Sequence, residues 1–277
     1  MTSPRVNVRI SRYGVHLLLI SISFLILLPL AWAIKSSFTP TGEVMSSGMF
    51  HLPSRLTGKN YSEGFASAPF LTYFINSLIV AVTVTITTLA ASLTAGYGFA
   101  HFKFRGKGVL FALVLAAMMM PFQAIMIPLF VEVRKLGWLN NFAGLIIPGA
   151  VSAFGIFMMR QYLRSIPVAL FEAAKLDGAS EFGIFWRIIV PLSAGPLAAL
   201  GSLTFLASWN NFLWPLIVVQ SQSLTTVPLG LAQFRGANST NYGQMLAVSI
   251  LGALPVVMLF IVMRRRIVAS FATSGIK

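Results

Sequence analysis

The sequence predicts an all-α, polytopic membrane protein with six transmembrane helices and with both termini in the cytoplasm. Of its 277 residues 57% are hydrophobic and 9% are charged, whereas a typical soluble domain carries about 25% charged residues. Such a chain cannot cover its surface with polar groups in water, so lipid must cover much of it. Six apolar segments are each long enough to cross a bilayer. Because only helices and closed barrels satisfy the backbone in lipid, and long unbroken apolar runs exclude a barrel, these segments are predicted to be helices.

The first segment follows Arg5, Arg9 and Arg12, as in a signal peptide, but it is longer than a cleavable apolar core and precedes no clear cleavage site. We therefore interpret it as a retained signal anchor. Prolines lie within or near several segments, and proline in a helix interior favours a kink. The six predicted spans are Val15–Ile34, Thr72–Ala100, Val109–Val131, Phe142–Leu163, Ala194–Val219 and Met245–Met263.

The positive-inside rule sets the predicted orientation. With the N-terminus inside, fourteen of the twenty lysines and arginines lie in the cytoplasm, among them Arg264–Arg266 after the last span. We therefore divide the chain into residues 1–70 (first span and external loop), residues 71–264 (a core of five spans) and residues 265–277 (cytoplasmic tail).

Several kinds of chemistry find no support in the residues. The chain has no cysteine, and His16, His51 and His101 share no metal-ligand spacing. The nearest stretch to a phosphate-binding loop, Gly106-Lys107-Gly108, lacks both the upstream glycine and the following hydroxyl. We expect no catalytic residue, no bound metal or cofactor and no nucleic-acid partner, since the net charge of +14 is explained by the loops between spans.

The predicted cytoplasmic loop from about Arg164 to Leu192 reads as a helix–turn–helix. Ser165 is a candidate helix cap, and Gly178 is a natural stop at positive φ. Ser180 is expected to cap a second short helix, which Pro191 ends. The small alanines of the first loop helix and the acids Glu172 and Asp177 suit either docking to a partner or an amphipathic helix resting on lipid headgroups.

A resemblance bears on that choice. The loop resembles the EAA loop of binding-protein-dependent ABC import permeases. The residues that carry the resemblance are Glu172-Ala173-Ala174, then Gly178 after three residues, then Ile188-Ile189-Val190-Pro191 after nine more. Val190 stands where leucine is usual. Two further stretches, Tyr97–Lys107 and Ser208–Pro215, resemble the carbohydrate-uptake branch, most closely the smaller permease subunit of maltose-type importers.

The resemblance implies a permease subunit in the bacterial cytoplasmic (inner) membrane, forming half of a translocation path for a sugar or sugar-like solute. Its implied partners are a second permease subunit in a heterodimer, a dimer of ATPase subunits that binds ATP and Mg, an external solute-binding protein and membrane lipid. The residues implied to couple to the ATPase are Glu172, Ala173, Ala174, Asp177 and Gly178. Glu172 is expected to face the ATPase or to brace the loop through Lys175 or a neighbouring arginine.

Polar residues within spans are candidates for the solute path, because they are costly in lipid. Gln123, Asn210 and Asn211 are the amides that we consider, with Asn76 a weaker candidate, and Trp209 lies beside the asparagine pair. Amides bind sugar hydroxyls, and an aromatic face binds the apolar side of a sugar ring. The alternative is that the amides hold helices together.

Two other classes of membrane protein fit the sequence less well. An ion-coupled transporter normally has acids buried in its spans, whereas all six acids here fall in loops or at span ends. A membrane enzyme acting on lipid-linked substrates needs carboxylates or histidines clustered at one membrane face, and here only the EAA loop clusters acids. The residues do not distinguish maltose-like, trehalose-like, monosaccharide and glycerophosphodiester solutes.

Overall fold

The computed structural model describes residues 12–45, 48, 51–234 and 241–274, and within these ranges every regular element is a helix. The all-α prediction is therefore confirmed. The helices are, in chain order, α1 (Arg12–Ser37), α2 (Lys59–Ala66), α3 (Phe70–His101), α4 (Lys107–Met118), α5 (Phe122–Lys135), α6 (Phe142–Ile146), α7 (Ala153–Arg164), α8 (Val168–Leu176), α9 (Glu181–Ile184), a π-helix (Phe185–Ile189), α10 (Val190–Leu192), α11 (Ala194–Trp209), α12 (Leu213–Val218), α13 (Val227–Ala232) and α14 (Tyr242–Ser274), with short 3₁₀ turns at Thr41–Glu43, Ile147–Gly149 and Gln222–Leu224.

Four stretches of the described chain are long and apolar enough to cross a membrane: α1, α3, α14 and Phe142–Arg164, which comprises α6, a 3₁₀ turn and α7. Two bent helix pairs bring the count to six if each pair crosses once. The described residues thus offer four to six candidate spans, and the six that the sequence predicts require each bent pair to cross once. The chain ends themselves lie outside the described residues, so their cytoplasmic location stays a prediction.

Both broken spans differ from the single helices that the sequence predicted. The predicted span Val109–Val131 bends by 103° between α4 and α5, where Pro121 has no N–H to continue the helix. The predicted span Ala194–Val219 is wrong as one helix, because α11 ends at Trp209 and the chain turns before α12. The turn is favoured by Asn211, whose side-chain Oδ1 accepts the Trp214 N–H at 3.3 Å. The second bent pair consists of Glu181–Leu192 and α11, which meet at 70°.

The chain divides into two compact units, Met1–Ala68 with Phe234–Leu251, and Pro69–Gln233 with Gly252–Lys277. In the first unit the buried Asn60 fastens the turn after α1: its Nδ2 donates to the carbonyls of Ser37 and Thr39 at 2.9 and 2.7 Å. In the same unit the side chain and N–H of Ser54 donate to the Glu43 carboxylate and hold the pKa of Glu43 below its ordinary value.

The second unit is built around α3, which packs closely against α7. A Cβ on Gly96 would lie 2.8 Å from the Cβ of Met159, and a Cβ on Gly155 would collide with the Ser92 hydroxyl. Ser92 and Gly96 are four residues apart and therefore share one face of α3, an arrangement of small residues that allows two helix backbones to approach. Two apolar clusters follow along α3, one with Val80 and Val84 and one with Leu93 and Tyr97.

Candidate functional site

The EAA loop, residues 165–192, begins with α8, whose C-terminus is closed by a glycine-dependent cap. Gly178 has φ +79°, as predicted, and its N–H donates to the Lys175 carbonyl at 3.0 Å. The N–H of Ala179 donates to the Ala174 carbonyl at 2.9 Å. These two bonds form a Schellman motif, which satisfies carbonyls that the end of a helix leaves free. Asp177 occupies the last position before the glycine and is exposed.

The two faces of α8 differ in burial. Phe171 and Ala174 are buried in the cluster that contains Leu93 and Tyr97 of α3. Glu172 and Ala173 are exposed, and so is Leu176, with 89% of its surface accessible. Residues 172, 173 and 176 follow helical spacing, so they form one outward face. The helix is anchored on one side and free on the other.

Two contacts tie the EAA loop to the end of α3, and a third joins α8 to α9 within the loop. The hydroxyl of Tyr97 donates to the Glu181 carboxylate at 3.2 Å, and the other oxygen of Glu181 forms an ion pair with Lys175 at 2.5 Å. One helical turn after Tyr97, the His101 ring lies 4.1 Å from the Phe171 ring, measured between centroids. Together these contacts connect α8, α9 and α3 through polar and aromatic groups.

Three details of the loop correct the sequence-based expectations. Ser165 does not cap α8: its hydroxyl donates back to the Tyr162 carbonyl, and the cap position is held by Pro167. Pro191 does not end the second helix, which runs through a π-helix and α10 to Leu192. Lys175 pairs with Glu181, and Glu172 forms no ion pair with any described residue. The cap that was predicted at Ser180 is confirmed, since its hydroxyl accepts the Gly183 N–H at 3.1 Å.

The four residues predicted for the solute path do not share one surface. Trp209 is buried, and its Nε1 donates to the Gly252 carbonyl at 3.0 Å. Asn210 and Gln123 are exposed and lie outside the wall of the cavity described below. Asn211 alone of the four lines that cavity.

Asn76 also takes a position explained by the architecture. Its buried Nδ2 donates to the carbonyls of Ser223 and Thr225 at 2.8 and 3.0 Å, which fastens the segment before α13 to α3. Trp214 is likewise buried and donates to the Gly144 carbonyl at 2.8 Å. The side chains of Asn76 and Trp214 therefore hold neighbouring segments together.

A cavity of about 570 Å³ lies within the second unit, between α3 and α11. Its wall includes Asn211 and several hydroxyl side chains that the sequence analysis did not select, such as Thr204 and Ser208. Thr204, Ser208 and Asn211 recur at helical spacing, a signal that was available in the sequence but that singled out no face without knowledge of the neighbouring helix. Tyr97 and Glu181 were noticed only as part of a motif and as an acid, because their pairing joins residues that are 84 positions apart.

Comparison with known proteins agrees with the family resemblance. Residues 88–268, about two thirds of the chain, match the model of a family described as binding-protein-dependent transport system inner membrane component. The chain is 38% identical over 259 residues to the arabinooligosaccharides transport system permease protein AraQ of Halalkalibacterium halodurans, covering 92% of this chain and 93% of that protein. It is 35% identical to the lactose transport system permease protein LacG of Rhizobium radiobacter, with 89% of each chain covered.

A solved structure shares the fold. A chain of a bacterial ABC transporter that imports the acidic polysaccharide alginate superposes with a TM-score of 0.84 at 24% identity, covering 96% of this chain and 99% of that one. The fold of this chain is therefore one that a solved structure already shows.

Proposed function

Because this chain belongs to the family of binding-protein-dependent transport system inner membrane components, we propose that it is a permease subunit of an ATP-driven importer that takes up a sugar or sugar-like solute. The chain forms half of the translocation path, and a second permease subunit forms the other half. An external solute-binding protein delivers the solute. The names of the relatives, which transport arabinooligosaccharides and lactose, support a carbohydrate as the solute.

The EAA loop is the proposed link to the ATPase, and its one-sided anchoring is the observation that carries this proposal. A lever must be rigid at the end that moves the spans and accessible at the end that is pushed. The buried Phe171 and Ala174 meet the first requirement, and the exposed Glu172 and Ala173 meet the second. The exposed Leu176 provides apolar surface that a partner would bury on docking.

In this proposal the chain binds no nucleotide, and ATP and Mg are held by the dimer of ATPase subunits. Closure of that dimer would displace α8, and the contacts of Tyr97 and Phe171 would pass the displacement to α3 and its neighbours. Gly178 is needed because a glycine adopts the φ of +79° that closes α8 without steric cost. Asp177 and Glu172 give the docking face a negative charge for basic groups of the partner.

Substitutions in the EAA loop test this proposal in the complete importer. Glu172→Lys reverses the charge of the docking face. Gly178→Asp places a side chain in the left-handed region, at a cost of about 1 kcal/mol or more, beside the surface that docks. Both variants are expected to be present in the membrane at near-normal amounts, to abolish solute uptake and to weaken co-purification of the ATPase.

Two matched variants separate docking from general strain. Gly137→Asp puts the same side chain at a positive φ of +70° with open space around it, but at the end of α5. Glu132→Lys reverses the charge of another exposed glutamate, which pairs with Lys135 at 2.8 Å. These controls should retain uptake. If the two EAA loop variants also take up solute normally, α8 is only a surface helix and the lever proposal is wrong.

A further inference from the structure

Two of the helices that line the cavity of about 570 Å³ contribute long stripes of residues. One is a stripe of α3 that runs from Ser77 to Thr88, about 16 Å of helix at 1.5 Å per residue. The other is a stripe of α11 with Thr204 and Ser208 and continues to Asn211. The volume lies within the range of about 300–1,000 Å³ that is usual for small-molecule sites.

The wall contains hydroxyls and one amide but no charged side chain. Three of the hydroxyls already serve the backbone: those of Ser77 and Ser152 accept N–H groups, and that of Thr88 donates to the Gly149 carbonyl at 3.1 Å. Thr204 and Ser208 make no side-chain hydrogen bond with any described residue.

Thr226 is the least satisfied polar group of the wall. Only 4% of the residue's surface is accessible, and its Oγ1 has no hydrogen-bond partner among the described residues. A buried hydroxyl without a partner is uncommon in folded proteins and calls for an explanation, such as a ligand that is absent from the structure. The Nδ2 group of Asn211 is also available, because its bond to the backbone uses Oδ1.

Aromatic surface completes the wall. Phe122 and Phe154 both line the cavity, and 37% and 46% of their surfaces are accessible. A sugar combines hydroxyl groups at its rim with apolar C–H faces, so it requires both kinds of surface. An anionic solute would instead lose its hydration without gaining a cationic partner, which is costly in an apolar surrounding.

We propose that this cavity is where the subunit contacts its solute, and that it accepts an uncharged, hydroxyl-rich carbohydrate and disfavours an anionic one. Thr204, Ser208, Thr226 and Asn211 provide the hydrogen bonds, and Phe122 and Phe154 provide the apolar contact. This inference rests on the proposed function, since it assigns the solute of the same importer. It replaces the scattered set of Gln123, Trp209 and Asn210 by one continuous surface.

The absence of cysteine from the chain makes the cavity accessible to a specific test. In the complete importer, Thr204→Cys and Ser208→Cys place single thiols in the wall, and Asn210→Cys places one next to the wall residue Asn211 but outside the cavity. Uptake of arabinotriose, lactose and diacetylchitobiose by the unmodified importer is measured first. Labelling of each thiol by an uncharged maleimide is then followed with and without the transported sugar, and with lactobionate as an anionic sugar of similar size.

The transported sugar should slow labelling at Thr204→Cys and Ser208→Cys, by about tenfold when its concentration is ten times the dissociation constant. It should leave Asn210→Cys unchanged, and lactobionate should protect none of the three. Equal labelling with and without sugar, in an importer with normal uptake, would overturn the cavity as the solute site while leaving the importer function in place. The same conclusion would follow if neither wall thiol reacted with the maleimide under any condition. Protection by lactobionate would overturn the charge selectivity. If the unmodified importer takes up neither these three sugars nor any other uncharged carbohydrate, the proposed sugar solute fails as well.

A second variant examines the orphan hydroxyl without disturbing the shape of the wall. Thr226→Val replaces the hydroxyl by a methyl group of similar size. If the hydroxyl binds solute, uptake efficiency should fall about two- to tenfold, the effect of one hydrogen bond, while sugar binding to the isolated binding protein is unchanged. Unaltered uptake would remove Thr226 from the site.

Discussion

Gly96 and Gly98 lie two residues apart in α3 and have opposite surroundings. A Cβ on Gly96 would lie 2.8 Å from the Cβ of Met159 and 3.0 Å from the backbone nitrogen of Arg160, whereas a Cβ on Gly98 meets nothing within 4 Å. Gly96 is therefore required by the approach of α7, and Gly98 is not. The difference is invisible in the sequence, because it depends on where α7 approaches α3 and not on the residues beside each glycine.

We predict that Gly96→Ala destabilises the subunit by about 1–3 kcal/mol, the usual cost of overpacking a close contact. Gly98→Ala should be neutral or slightly stabilising, because alanine is the better helix former. Thermal unfolding of this subunit within the purified importer measures the change in stability of both variants. Unchanged stability of Gly96→Ala would show that the α3–α7 contact is looser than the structure indicates.

Local rules predicted the conformation and hydrogen bonds of single residues well where these depend on neighbours in sequence. The positive φ of Gly178 and the cap at Ser180 depend on a few adjacent residues, and both were predicted. Ser165 failed because two local partners compete for its hydroxyl, and the preceding carbonyl of Tyr162 accepts it. The pairing of Glu181 with Tyr97 was not predicted, since it depends on the packing of separate helices.

At the scale of elements, apolar length predicted where the chain crosses the membrane but not where a helix breaks. Asn210 and Asn211 were interpreted as polar residues within a span, whereas they mark the end of α11. An asparagine both bonds a solute and turns a backbone, and hydropathy does not distinguish the two roles. The bend before Pro121 had a local signal, yet a proline predicts a kink without its angle, here 103°.

The junction between α3 and the EAA loop carries the next prediction. Tyr97→Phe removes the hydroxyl that donates to Glu181 while keeping the ring, which packs 5.4 Å from that of Phe185 between centroids. Glu181→Gln removes the ion pair with Lys175 at the same junction. Each variant should fold and assemble, but should hydrolyse more ATP per solute transported, because α8 follows α3 less rigidly.

A double-mutant comparison makes this prediction specific. If Tyr97 and Glu181 act through their shared bond, the double variant should lose little more coupling than Glu181→Gln alone. Tyr61→Phe is the control, since it removes another tyrosine hydroxyl bond, to Ser37 at 2.8 Å, in the other unit. A normal ratio of ATP hydrolysed to solute transported in both single variants would mean that coupling does not pass through this contact.

For the whole molecule, the main question is how the two bent pairs meet the membrane. If each pair crosses once, the chain has six spans; if each pair enters and leaves on one side, it has four. An even number of spans places both termini on the same side in either case. The termini therefore do not distinguish the two topologies, but the segments between the bent pairs do.

We predict the six-span topology, in which Leu136, after α5, is external and Leu176, at the end of α8, is cytoplasmic. The distribution of basic residues supports it, because Arg160, Arg164 and Arg187 around the EAA loop then lie inside. With four spans both leucines exchange sides, and the EAA loop would face away from any cytoplasmic ATPase. Leu136→Cys and Leu176→Cys decide between them, since both side chains are exposed, at 55% and 89%, and the chain has no other thiol. A membrane-impermeant maleimide added to intact cells should label Leu136→Cys. It should label Leu176→Cys only after the membrane is opened. The reverse pattern would establish four spans and remove the basis for coupling through the EAA loop.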